Sequence, residues 1–112
     1  MAALTTNVVP LVGLRFDNLM AAATSGDDCA TGTGVLLIVN NGSAASVTVT
    51  LATPETVDGD LAVDDREVAV AASGWAVIPV TDRYRNPSTG RCAITYSAAA
   101  DVTVGVVRTA AA

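Results

Sequence analysis

Six carboxylates between positions 55 and 67 are the only side chains here whose types and spacing could carry out acid–base chemistry. They are Glu55, Asp58, Asp60, Asp64, Asp65 and Glu67. A pair of carboxyl groups can act as general acid and base, and clustered carboxylates also suit Ca²⁺, but the spacing does not match an EF-hand loop. A solvated acidic loop that keeps the protein in solution is the interpretation we favour.

Nucleophilic catalysis lacks its usual partners in this sequence. Serine and threonine are abundant, but the 112 residues include no histidine and no lysine, the bases that most often activate a hydroxyl group. Gly32-Thr33-Gly34 is not followed by the Gly-Lys-Ser/Thr of a phosphate loop, and it opens a predicted strand rather than a helix. We therefore expect neither an enzyme nor a cofactor.

Cys29 and Cys92 are the only thiols. Cys92 opens an alternating segment in which Ile94 and Tyr96 share its face, so it is predicted to be a small buried hydrophobic residue. A disulfide between the two cysteines is possible if their strands adjoin. A metal site is not expected, because two thiols without histidine do not make a zinc site.

Charge and hydropathy limit the partners. The net charge is −5, and nucleic-acid binding needs clustered arginine or lysine. No apolar run approaches the length of a membrane helix, and the N-terminus lacks the basic start of a secretory signal. We expect a soluble protein made in a cytoplasm, with neither a nucleic-acid partner nor a membrane.

The region 34–108 alternates between apolar and polar residues with a period of two, which is typical of half-buried strands. Turn signals separate these segments at intervals that favour a sandwich. The sequence predicts an all-β fold, an antiparallel two-sheet β-sandwich of immunoglobulin-like or jelly-roll type with about seven to eight strands. Residues 35–39 and 46–52 are predicted to pair, as are 67–71 and 75–80. Trp75 is predicted to pack in the core.

We expect two parts in the chain: an extended N-terminal arm, residues 1–13, and a single β-sandwich domain, residues 14–112. Pro10 disfavours a helix in the arm, which is either a segment lying on another protein or the first strand of the domain's own sheet. Residues 17–23 are predicted to form either one or two helical turns capped by Asp17 or a connecting segment without regular structure. Partner-binding residues are predicted in the arm: Leu4, Val8, Val9, Pro10 and Leu11.

A second candidate for partner binding is the cluster Arg83, Tyr84 and Arg85, which precedes the loop 86–90. Arginine and tyrosine are enriched at protein interfaces, so the cluster could contact a partner protein. Alternatively, Tyr84 covers an open end of the sandwich.

Several segments between residues 26 and 108 resemble small virion proteins of tailed bacteriophages. The resemblance lies in a strand ending in Asn-Asn, a Val-Thr-Val-Thr strand, a Ser-Gly turn into an apolar strand with proline, and a terminal hairpin. The matching residues are Val39–Asn41, Val47–Thr50, Val68–Gly74, Ile78–Val80, Ile94–Ser97 and Val102–Val107.

This resemblance implies a capsid decoration (cement) protein on the exterior of the virion. Such a protein binds the major capsid protein and stabilises the lattice, commonly as a homo-oligomer, with a trimer favoured. The alternative is a carbohydrate- or host-binding β-module of a phage tail or fibre. Sugar recognition favours exposed aromatic residues beside carboxylates, and this chain has only four aromatic residues.

Overall fold

A computed structural model describes residues 2–10, 12–13, 15, 19–54, 56–62 and 64–109. These residues form twelve strands, four of them only two residues long, and one 3-10 turn at Asp82–Tyr84. The strands are β1 (Ala2–Ala3), β2 (Thr6–Val9), β3 (Ala21–Ala22), β4 (Asp27–Cys29), β5 (Val35–Asn41), β6 (Val47–Leu51), β7 (Thr56–Val57), β8 (Leu61–Ala62), β9 (Arg66–Val70), β10 (Trp75–Pro79), β11 (Cys92–Tyr96) and β12 (Val102–Thr109). The described part of the chain holds no helix that could cross a membrane.

The strands form two packed sheets, which confirms the predicted all-β sandwich, although the strands outnumber the seven or eight expected. The first sheet has the order β1-β4-β11-β6-β9, and the second has the order β10-β5-β12-β2, with β3 also paired to β12. Strands β7 and β8 make a separate two-stranded sheet. Pairing is antiparallel except where β1 meets β4 and β2 meets β12.

The pairing is that of a jelly roll. Five antiparallel pairs are nested inside one another: β7 with β8, β6 with β9, β5 with β10, β4 with β11, and β3 with β12. A long hairpin rolled into two sheets produces this nesting, which is the jelly-roll member of the two sandwich types expected.

The predicted pairing of consecutive strands is wrong. β5 and β6 lie in different sheets, as do β9 and β10, and β11 and β12. The connecting segments 42–46, 71–74 and 97–101 are long enough to cross between sheets that pack about 10 Å apart. Alternation shows which residues face the core, but it does not show which neighbouring strand each segment pairs with.

The core lies between the two sheets and is built from one parity of each strand. Leu37, Leu51 and Ile94 are its largest fully buried side chains, surrounded by valines from β5, β6, β9 and β12. Burying each such side chain stabilises the fold by about 1.5–3 kcal/mol. β5 also buries Ile38 on its other face, which explains why its sequence is a continuous apolar run.

Part of the outer face of the second sheet is covered by the segment at positions 19–20. A Cβ atom at Gly105 of β12 would lie 2.6 Å from Leu19 Cδ1 and 2.9 Å from Met20 Sδ. Only glycine therefore lets this segment approach the strand. The following residues, Ala21–Ala22, form β3 instead of the predicted helical turn. The proposed cap, Asp17, lies outside the described residues.

The N-terminal segment is extended, as expected, and it pairs with the domain's own strands. Ala2–Ala3 extends the first sheet beside β4, and Thr6–Val9 extends the second sheet beside β12. Residues 2–3 and 6–9 therefore follow the interpretation in which this segment begins the domain's own sheets.

Candidate functional site

The acidic stretch 55–67 is solvated wherever it is described. Asp58, Asp60, Asp64 and Glu67 are exposed, and so is Asp65, whose Oδ1 accepts a hydrogen bond of 2.8 Å from the Thr53 N–H. Glu55 lies outside the described residues. Within the described ranges, no three histidine, cysteine, aspartate or glutamate residues are grouped so that they could hold a metal ion.

A buried carboxylate, which no sequence pattern had indicated, lies on the inner face of β4. Asp27 is fully buried, and its Oδ2 accepts a hydrogen bond of 2.7 Å from the Tyr96 hydroxyl. The Thr24 hydroxyl lies 2.6 Å from Oδ1, and the Thr24 N–H donates to Oδ2 at 3.3 Å. Burial first, and then the hydrogen bond and charge of Asp27, raise the pKa of Tyr96 above its usual value. The phenol therefore stays protonated and donates to Asp27, and this hydrogen bond links β4 to β11.

The two cysteines face each other across β4 and β11. Cys29 and Cys92 are direct partners in the antiparallel register, both are fully buried, and both are free thiols. Their strands therefore adjoin, which is the condition that the disulfide prediction required, and Cys92 is the buried residue expected. A hydrogen bond from Cys92 lowers the pKa of Cys29, and the same bond and burial raise that of Cys92.

Asn41 is a second buried polar residue, and the sequence had indicated only its turn. Its side-chain amide nitrogen donates to the carbonyl oxygens of Ala45, Val70 and Ala71 at 2.8, 3.1 and 3.2 Å. Its Oδ1 accepts hydrogen bonds from the N–H and the hydroxyl of Ser43 at 3.0 and 2.7 Å. One side chain thus joins the end of β5 to the end of β9 in the other sheet.

The arm residues predicted to bind a partner are partly engaged within the domain. Leu4 packs against the core, Val9 is half-buried, and Pro10 is exposed. Val8 is 47% exposed on the outermost strand of the second sheet. Leu11 lies outside the described residues.

The Arg83–Arg85 cluster follows β10, and Arg85 forms an isolated bridge with Cys92 of β11. Arg83 and Arg85 are exposed, whereas Tyr84 is half-buried against the core. Arg66 Nε lies 3.4 Å from the Tyr84 hydroxyl oxygen. Tyr84 therefore both covers the side of the sandwich and lies at its surface.

A groove of about 300 Å³ runs beside Tyr84, between the outermost strands β9 and β10. Its lining residues are Arg66, Val68, Val77, Ile78, Pro79 and Tyr84; we call it the β9–β10 groove. Val77 is 59% exposed and Trp75 is 53% exposed on the same strand. The prediction that Trp75 packs in the core is wrong, because Trp75, Val77 and Pro79 share the outward parity of β10 whereas Ile78 points inward.

Comparison of the chain with family models, with characterised proteins and with solved structures gives no match.

Proposed function

We propose that this chain is a structural protein, not an enzyme, that decorates the outside of a tailed-bacteriophage capsid and stabilises the lattice. It is made in the cytoplasm of the host bacterium and binds the major capsid protein as a homo-oligomer, with a trimer favoured. The observation that carries the proposal is the row of exposed apolar side chains on β10 beside the β9–β10 groove. The resemblance of several strand sequences to phage virion proteins supports the capsid as the partner.

The composition of this surface suits a protein partner. Trp75 and Val77 are more than half exposed, and contiguous exposed apolar area commonly marks an interaction site. Tryptophan, tyrosine and arginine are the residues that most often dominate binding energy, and all three occur around this groove.

The edge of β10 adds a second mode of binding. Within the described residues, β10 pairs only with β5, so the opposite side of its backbone is open to a further strand. Proteins often bind an extended segment at such an edge, where main-chain hydrogen bonds give affinity and neighbouring pockets give specificity. A strand from the capsid lattice fits this edge, with its side chains entering the β9–β10 groove.

Charge defines the partner further. The chain carries a net charge of −5, yet three of its six arginines, Arg66, Arg83 and Arg85, line the groove or flank Tyr84. We therefore expect an apolar strip with acidic flanks on the capsid.

Jelly rolls occur in viral capsids, lectins and cupins alike, so the fold alone does not choose between these functions.

The test is co-sedimentation of the purified protein with undecorated capsids. The proposal expects saturable binding at a fixed ratio to capsid protein. Val77→Asp should weaken that binding at least tenfold, because it places a charge in the apolar contact. Leu61→Asp is the matched control: Leu61 is 58% exposed, nearly the same as Val77, but it lies on β8 away from the groove.

Equal binding by the two variants would refute β10 as the contact, and no binding to any capsid would refute decoration. Binding to glycans or host cells alone would support the tail- or fibre-module alternative. Sedimentation equilibrium measures the oligomer, and a monomer at all concentrations contradicts the trimer. Val8→Asp tests the arm, since deleting residues 1–13 would also remove β1 and β2.

A further inference from the structure

Cys29 and Cys92 are placed where a covalent bond could join two strands of the first sheet. They are direct partners in the register between β4 and β11. The Leu4 N–H donates to the Asp28 carbonyl oxygen, so the main-chain groups of Asp28 face β1 and those of Cys29 face β11. Opposed residues that exchange main-chain hydrogen bonds have Cα atoms about 5.5 Å apart, which is within the range of disulfides.

The side chains also point towards each other. Both cysteines are fully buried on the inner face of the sheet, and the nearby Cys92 thiol lowers the pKa of Cys29. The Arg91 guanidinium is held nearby by Asp28, with Nε 2.6 Å from Oδ1. The Cys92 thiol and, to a smaller extent, the positive charge of Arg91 lower the pKa of Cys29 against the opposing effect of burial, which favours its thiolate form.

We propose that Cys29 and Cys92 form an intramolecular disulfide when the protein meets a small-molecule disulfide, and that this bond locks β4 to β11. In a cytoplasm the glutathione pool keeps the pair reduced. Outside a reducing cytoplasm, an oxidising medium would close it. This inference stands whether or not the protein decorates a capsid.

The chemistry balances with oxidised glutathione as the oxidant. The Cys29 thiolate attacks one glutathione sulfur, a mixed disulfide forms, and the first glutathione leaves as a thiolate that takes up a proton. Cys92 then loses its proton and attacks Cys29 Sγ, which releases the second glutathione. Two protein thiols are oxidised to one disulfide, and one glutathione disulfide is reduced to two thiols.

The bond would link β4 to β11, the nested pair directly inside the outermost pair of β3 with β12. β4 is three residues long and carries β1 on its other side, so the bond would hold the N-terminal part of the first sheet in place. It would also close a loop of about 60 residues in the unfolded chain, which restricts that chain strongly.

The experiment counts thiols in the whole protein. One sample is kept folded and a second is refolded from denaturant, each with either reduced or oxidised glutathione. Both samples are then denatured and alkylated, and the intact mass of the protein is measured. We expect two alkylated thiols under reducing conditions. Under oxidising conditions we expect none, with a monomer lighter by two hydrogen atoms and a melting temperature higher by roughly 10 °C.

The control is the double variant Cys29→Ala with Cys92→Ala, whose melting temperature should be the same in both buffers. The single variant Cys92→Ala should yield a glutathione adduct or a free thiol but no gain in melting temperature. An intramolecular disulfide in either the folded or the refolded sample supports the proposal. Two free thiols, glutathione adducts or cross-linked dimers in both samples would overturn it.

Discussion

Replacing Asn41 with aspartate tests whether one buried amide holds the two sheets together. The change keeps the size of the side chain and converts its donor nitrogen into an oxygen. That nitrogen donates to three main-chain carbonyl oxygens at 2.8, 3.1 and 3.2 Å. In Asn41→Asp, those carbonyls face an acceptor, and the oxygen that replaces the nitrogen is buried without a donor, while Oδ1 keeps the Ser43 N–H and hydroxyl.

The cost follows from the number of groups left unpaired. Each buried polar group that loses its partner costs about 1–3 kcal/mol, and the amide has two N–H groups to lose, so we expect Asn41→Asp to destabilise the fold by about 3–5 kcal/mol. A domain of this size has a total stability of roughly 5–15 kcal/mol. The variant should therefore melt more than 10 °C lower, at about 4 °C for each kcal/mol.

The effect also depends on pH with a defined sign. Burial among carbonyl oxygens raises the pKa of the introduced carboxyl above its unfolded value of about 3.9. The folded variant then binds the proton more tightly than the unfolded chain. The loss of unfolding free energy relative to the wild type is therefore largest near neutral pH, and it becomes smaller as the pH falls towards the pKa of the carboxyl group in the unfolded chain.

Thermal and urea denaturation followed by circular dichroism measures the change, and Asn40→Asp is the matched control. Asn40 is the preceding residue of β5, points to the opposite face and is only half-buried. It receives the same added charge, and we expect it to cost less than about 0.5 kcal/mol. Equal destabilisation by the two variants would show that the added charge, and not the lost donor, is responsible.

Three further changes test other contacts of the fold. Tyr96→Phe removes the hydroxyl that donates to the buried Asp27 and should cost about 1–3 kcal/mol in urea denaturation. The pKa of Tyr96 is raised in the folded state. The free energy of unfolding of the wild type should therefore keep the stabilisation from this hydroxyl below about pH 10 and decrease above it, whereas that of Tyr96→Phe should show no such decrease. Arg91→Ala removes the guanidinium that donates to the Leu4 carbonyl oxygen at 2.9 Å; hydrogen exchange should speed up in β1 and β2 but not in β10, with less than about 1 kcal/mol lost overall. Gly105→Val places a side chain where Leu19 Cδ1 would lie 2.6 Å from its Cβ; we expect a loss of about 1–3 kcal/mol in thermal denaturation, whereas an unchanged melting temperature would show that the covering segment moves aside freely.

The strands themselves could be predicted from the sequence, because their cause is local. Val47, Val49 and Leu51 alternate with threonines, and all three are fully buried in β6. Alternation reports which side of a strand is apolar. Strand pairing depends on residues far apart in the chain, such as Cys29 and Cys92, so no short pattern contains it. This is why the strands were identified and their predicted neighbours were wrong.

Buried polar groups were missed for a related reason. The Asn-Asn-Gly sequence indicated a turn, yet Asn41 is fully buried because the carbonyl oxygens of Val70 and Ala71 come close from another strand. Asp27 is likewise buried only because Tyr96 and Thr24 supply donors. A sequence shows the side chain but not the partners that make its burial favourable.

The exposure of β10 follows from the way the jelly roll ends. β10 is the end strand of the second sheet, and β7 and β8, which pair with each other, are not part of either large sheet. The backbone edge of β10 is therefore uncovered by the described strands, next to the outward-facing Trp75 and Val77. An aggregation-prone edge of this kind is normally blocked, and this one instead carries two large apolar side chains. That combination is better explained by a strand that another protein covers than by one that has evolved to stay in water, and it is why the proposed contact lies on β10 and not on the acidic loop.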